Sequence, residues 1–75
     1  MVHHIATLAE FHEKVNSNKL VVIDFTAQWC GPCKMIAPHF DKFPEEFAGV
    51  EFYKIDVDEN EEASAAAGIN CMPTF

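Results

Sequence analysis

Leu20-Val21-Val22-Ile23-Asp24-Phe25-Thr26-Ala27-Gln28-Trp29-Cys30-Gly31-Pro32-Cys33 is the stretch that decides the fold. Its first seven residues are apolar apart from Asp24 and the closing Thr26, the pattern of a central strand covered on both faces. The residues from Cys30 onward read as the opening of a helix, with Pro32 in the first turn, where a missing N–H costs little. Two thiols two residues apart at a strand-to-helix junction meet unpaired backbone N–H groups and the positive end of a helix dipole. Both favour the thiolate, so the sulfur becomes a nucleophile near neutral pH, and the second sulfur lies within reach to resolve a mixed disulfide. A structural zinc site would need four ligands, and only Cys71 and a histidine are on hand to complete one. An iron–sulfur cluster shared between two chains is the third reading. The setting of the pair favours redox chemistry over both.

The strand and helix around the pair belong to a longer alternation. His3 to Ile5 reads as a short strand. Thr7-x-x-Glu10 is a capping box, followed by Leu8, Phe11 and Val15 at helical spacing and by Asn16-Ser17-Asn18 as a stop. After the Cys pair, Met35, Ile36, Phe40, Phe43 and Phe47 predict a helix with a broad apolar face. Pro38 predicts a kink in it, and Pro44 an end or second irregularity. Val50 to Val57 reads as a strand. Asn60 caps a third helix running through Ala67, and Gly68 suits its C-terminal stop. The order is β-α-β-α-β-α, then the start of a fourth strand at Pro73-Thr74-Phe75. Short connections between such elements imply an α/β fold with a mostly parallel sheet.

Composition narrows the function classes. The chain has 75 residues, 49% hydrophobic and 23% charged, so it holds one globular domain. Its nine aromatics look like the contents of a core larger than 75 residues usually enclose. The net charge is −7, with five lysines and no arginine, so there is no basic footprint for nucleic acid or an anionic membrane. The acids gather late, at Glu45, Glu46, Glu51 and from Asp56 to Glu62, and read as a solvated face. No signal peptide and no apolar run of roughly 20 residues is recognised. Three cysteines, an odd number, fit a reducing compartment, cytoplasm or nucleus.

Three further residues carry candidate chemistry. Asp24, six residues before Cys30, reads as a buried acid with a raised pKa, placed to take the proton of Cys33 directly or through water. Lys54 has the register to face Asp24 from the next strand. Pro73, in a Met-Pro-Thr step at a strand start, is a candidate cis-proline. Cys71 is either an inert thiol or an exposed one open to modification. His3, His4, His12 and His39 have no metal-ligand spacing, and no metal is expected. Phe40, Phe43 and Phe47 read as core.

Together Trp29 to Cys33, Lys34-Met35-Ile36-Ala37-Pro38, the strand from Val50 to Asp58 and Cys71-Met72-Pro73-Thr74-Phe75 resemble the thioredoxin family along the whole chain. Gly-Pro between the cysteines is specific to it, since glutaredoxins usually carry Pro-Tyr and protein disulfide isomerases Gly-His. Cys71 before Met72-Pro73 is similar to animal cytosolic members. The resemblance implies that Cys30 attacks, Cys33 resolves, Asp24 is the buried acid–base group with Lys54 beside it, and Pro73 is cis. Trp29, Gly31 and Pro32 would shape the active site. Trp29, Met72, Pro73 and the approach from Ile69 to Cys71 would bind target polypeptide, with Cys71 a regulatory thiol.

The activity implied is protein dithiol–disulfide oxidoreduction, with targets and thioredoxin reductase as partners. No cofactor would be bound, and NADPH would supply electrons through the reductase. Residues 1–75 would form the N-terminal two-thirds of the family domain, ending just after the cis-proline, with the last two strands and the final helix largely missing. That leaves open a dimer through Cys71 or the open sheet edge. It also leaves the alternative of a catalytically weak fragment that acts as a binding or mixed-disulfide module.

Overall fold

The computed structural model describes residues 2–69 and 72–75. Three strands, β1 (Val2–His4), β2 (Val21–Thr26) and β3 (Glu51–Asp56), form a parallel sheet in the order β1-β3-β2. Four helices connect and follow them: α1 (Leu8–Val15), α2 (Gly31–Phe40), α3 (Phe43–Glu46) and α4 (Glu61–Ala67). The alternation expected from the sequence is present, with one helix more than expected.

Side chains alternate across a strand, and the register decides which ones share a face. Ile23 pairs with Tyr53 and Phe25 with Ile55, and these four join Ile5 and Ala63 in the core between the sheet and helices α1 and α4. Leu8 and Phe11 of α1 pack against that cluster. The opposite face carries Val22 beside Phe52 and Asp24 beside Lys54. There Phe40 of α2 is fully buried, with its ring edge-on to Phe52 and to Phe43.

The helix ends are set by local chemistry. Thr7 Oγ1 accepts the Glu10 N–H at 3.1 Å, and Glu10 Oε1 accepts the Ala6 N–H at 3.0 Å. Such a cap stabilises a helix by about 1 kcal/mol. Asn60 does two jobs at the start of α4. Its Oδ1 accepts the Ala63 N–H at 3.2 Å, and its Nδ2 donates to the Ile5 carbonyl at 3.4 Å, tying the helix to the end of β1. Gly68 takes φ 71°, a left-handed conformation that glycine adopts at no steric cost, and the Ile69 N–H then closes on the Ser64 carbonyl.

The long second helix expected from the sequence is two helices. α2 runs on through Pro38 and ends at Phe40, and a new helix begins at Phe43. Pro44 lacks the N–H that a continued α2 would need to bond the Phe40 carbonyl, but it fits the first turn of a fresh helix. The break turns Phe43 and Phe47 back onto Phe52, so the three rings remain one aromatic group.

Beyond β2 the sheet continues by a single antiparallel bridge. Phe25 N donates to Thr74 O at 2.8 Å, and Thr74 N returns to Phe25 O at 3.3 Å. On the α2 face a groove of about 480 Å³ runs past Leu20, Val22, Ile36, Phe47 and Phe75. Leu20 is 67% exposed, Phe47 51% and Phe75 58%, so Phe47, read as core from the sequence, packs one side on Phe43 and Phe52 and leaves the other to water. No helix among the described residues is long and apolar enough to cross a membrane.

Candidate active site

The loop leaving β2 delivers the cysteines to the first turn of α2. Ala27 is buried, and its carbonyl accepts the Cys30 N–H at 3.2 Å, which turns the chain. Cys30 is the N-cap of α2 in an extended conformation, with Pro32 in the first turn. Its Sγ accepts the Cys33 backbone N–H at 3.2 Å. Cys30 and Cys33 are joined by a disulfide across a Cα–Cα distance of 5.2 Å. The hydrogen bond and the helix N-terminus lie where a Cys30 thiolate would place its charge after reduction. Ala27, Cys30 and Cys33 form a small buried cluster against which Val57 and Met72 pack. The peptide bond from Met72 to Pro73 is cis.

Trp29 is 66% exposed, yet it does not hang free. Its Nε1 donates to Asp58 Oδ2 at 2.6 Å. Asp58 is aimed by the turn after β3, where Asp56 Oδ1 accepts the N–H groups of Asp58 at 2.8 Å and Glu59 at 3.3 Å. Sequence reasoning placed Asp58 on a solvated acidic face. Nothing local marks it as the partner of a tryptophan 29 residues away. Gly31 is exposed, and a Cβ there would meet nothing within 4 Å, so the glycine leaves the surface beside Cys30 open.

Asp24 lies in the middle of β2, 1% exposed, and its Oδ1 has no hydrogen-bond partner among the described residues. Burial pushes its carboxyl above the usual carboxylate range. The Lys54 ammonium pulls it back and the Asp41 carboxylate adds to the rise. The expected register holds, with Asp24 and Lys54 as partners across the two strands. The lysine's ion pair, however, is with Asp41 at the C-terminal end of α2, Nζ to Oδ1 3.0 Å. Asp41 was not singled out from the sequence. A cleft of about 230 Å³ opens beside this group, lined by Cys33, Ala37 and Lys54 among others. Cys71 lies outside the described residues.

An acid whose pKa is raised by folding contributes stability below its unfolded pKa and loses it as pH rises through the folded value. Asp24→Asn keeps the shape and cannot ionise. The variant is therefore expected to melt higher than the parent above the carboxylate range, with a difference that shrinks towards zero in acid. Thermal melts across pH check this. A difference that does not vary with pH would show that folding leaves the Asp24 pKa unshifted.

A parallel sheet that presents a Cys-Gly-Pro-Cys disulfide at a helix N-terminus, with Met72 of the cis Met72–Pro73 bond packed against it, defines a thioredoxin-like fold carrying a redox-active disulfide. The thioredoxin family profile matches residues 2–75, and the chain belongs to that family. A thioredoxin of Geodia cydonium is 52% identical over 77 aligned positions, which take in all of this chain and 73% of the relative. The crystal structure of Fasciola hepatica thioredoxin superposes with TM-score 0.89 at 45% identity, covering 95% of this chain and 70% of that one. A chain from a structural study of thiol resolution in yeast mitochondrial 1-Cys peroxiredoxin by glutathione/thioredoxin systems gives TM-score 0.91 at 38% identity, covering 96% and 68%.

Proposed function

We propose that this chain reduces disulfides in target proteins, with Cys30 as nucleophile and Cys33 as resolving thiol. The observation that carries the reading is the Cys30–Cys33 disulfide, with Cys30 Sγ at the N-cap of α2 accepting the Cys33 N–H.

In the reduced protein the Cys30 thiolate attacks one sulfur of the target disulfide. That bond breaks, the first target thiolate leaves and takes a proton, and a mixed disulfide forms. Cys33 then gives its proton to Asp24, directly or through water, and attacks Cys30 Sγ. The second target thiolate leaves, and Cys30–Cys33 is oxidised. Two electrons have passed from the dithiol to the target, so the two sulfurs themselves are the electron carrier. Thioredoxin reductase, drawing on NADPH, returns them. Trp29, held by Asp58, with Met72 and Pro73, forms the apolar platform for the target segment. Peroxiredoxins, named in the yeast structural study, are one target class. The cytoplasm, where thiols are kept reduced, suits this cycle.

The test couples this chain to thioredoxin reductase and follows NADPH oxidation with insulin as the disulfide substrate, beside a far-UV CD melt. Consumption of NADPH that depends on both the chain and insulin is expected. A cooperative melt without such consumption would overturn the reading. The exposed groove past Leu20, Phe47 and Phe75 favours a second reading, a binding or mixed-disulfide module with weak turnover. It predicts covalent capture of targets with no cooperative melt.

A further inference from the structure

Lys54 is placed by the sheet but held by a helix. The register sets it between Asp24 of β2 and His4 of β1. An ammonium beside a buried carboxyl group whose Oδ1 has no hydrogen-bond partner among the described residues has an obvious partner, yet Nζ lies 3.0 Å from Asp41 Oδ1. Asp41 sits at the C-terminal end of α2, where the helix dipole and unpaired carbonyls disfavour an anion. Its backbone N–H already bonds the Ala37 carbonyl, and the following N–H, of Lys42, bonds that of His39. Nothing in α2 calls for a carboxylate there. What the side chain does is hold Lys54, whose own side chain is only 14% exposed.

We propose that Asp41 is a positioning residue for the dithiol chemistry: it keeps the Lys54 ammonium off Asp24 while Asp24 is protonated and yields it when Asp24 ionises. This rests on the reading of Asp24 as proton acceptor for Cys33.

Two carboxylates compete for one ammonium. While Asp24 is neutral, Asp41 is the only anion of the pair, and Lys54 stays with it. Once Asp24 takes a charge, the balance shifts. Asp24 is 1% exposed, so bulk solvent does little for its charge, whereas the Asp41 side chain is 55% exposed and is solvated without help. The lysine's flexible four-carbon stem, rooted one strand away, allows the exchange. Asp41 thus raises the affinity of the ionised Asp24 for the Cys33 proton, and Lys54 limits the penalty of its charged state. The directions in which Lys54 and Asp41 act on the Asp24 carboxyl agree with this. The other titratable groups around the cleft are His4 of β1, Lys34 and reduced Cys33 of α2, Asp56 of β3 and Glu59 beyond it. Among the described residues none of these is ion-paired with Lys54. The core cluster on the opposite sheet face, against α1 and α4, has no charged member.

The test is a 13C NMR titration of the Asp24 carboxyl carbon in the oxidised chain, for the parent, Asp41→Asn, Lys54→Met and the double variant. Asp41→Asn is expected to lower the midpoint by on the order of one pH unit. Lys54→Met is expected to raise it. With Lys54 replaced, Asp41→Asn should shift it less than half as far. Asp41→Glu should restore the parent midpoint. An equal Asp41→Asn shift with and without Lys54 would show that Asp41 acts through its own field alone. No shift, or an unfolded Asp41→Asn variant titrating at an ordinary carboxylate value, would overturn the proposal as well. The oxidised protein turns nothing over. Failure of disulfide reduction with the titration pattern intact would therefore count against the functional reading, and the converse against the Asp41 role.

Discussion

Cys30→Ser is expected to lose disulfide reduction, with a fall on the order of a thousandfold or more in rate. A hydroxyl stays protonated near neutral pH, so the helix N-terminus and the Cys33 N–H at 3.2 Å have no anion to stabilise. Cys33→Ser should fail differently. Cys30 can still attack, but nothing releases the target, so a covalent adduct should accumulate on a non-reducing gel and vanish with dithiothreitol. The pair of outcomes assigns the two roles. A Cys30→Ser protein that still turns over, or a Cys33→Ser protein that releases its targets at the parent rate, would reverse or remove the assignment.

Phe40→Ala is expected to have the largest effect on stability. Phe40 is fully buried between the sheet and α2, with its ring centroid 5.7 Å from Phe52 and 5.8 Å from Phe43. Truncating such a ring costs about 3–5 kcal/mol, from lost burial and from the cavity left behind. Stability at roughly 0.05–0.15 kcal/mol per residue gives a chain of this length about 4–11 kcal/mol in all. The loss is therefore a large share of the total, and the urea midpoint should fall steeply or the cooperative transition disappear. Phe47→Ala is the control. Phe47 touches the same aromatic group but is 51% exposed, so its loss should be much smaller. Equal effects of the two changes would show that the α2 face is not a core.

Much of the fold was legible because its signals are short-ranged. The Thr7 cap, the Asn60 cap, the Gly68 stop and the N-terminal placement of Cys30 and Pro32 each depend on residues within a few positions of one another. The helix break after Phe40 was only half legible. Pro44 announced an irregularity, but whether α2 would kink or restart depended on Phe43 and Phe47 folding back onto Phe52 in the sheet. Asp24 was recognisable as a charge inside an apolar strand, and its register with Lys54 followed from parallel pairing.

What the sequence by itself determined is the pair of thiols at a strand-to-helix junction, because a strand pattern, a helix start and the Cys-Gly-Pro-Cys spacing all lie within one short segment. What only the tertiary structure decided is which charges meet. Lys54 pairs with Asp41 across thirteen positions and Trp29 with Asp58 across twenty-nine. The physical reason is that a long side chain reaches several candidates at once. The choice depends on how the helix ends and turns sit over the sheet, and that is set by the burial of Phe40, Phe52 and Ile55, which brings together elements distant in sequence.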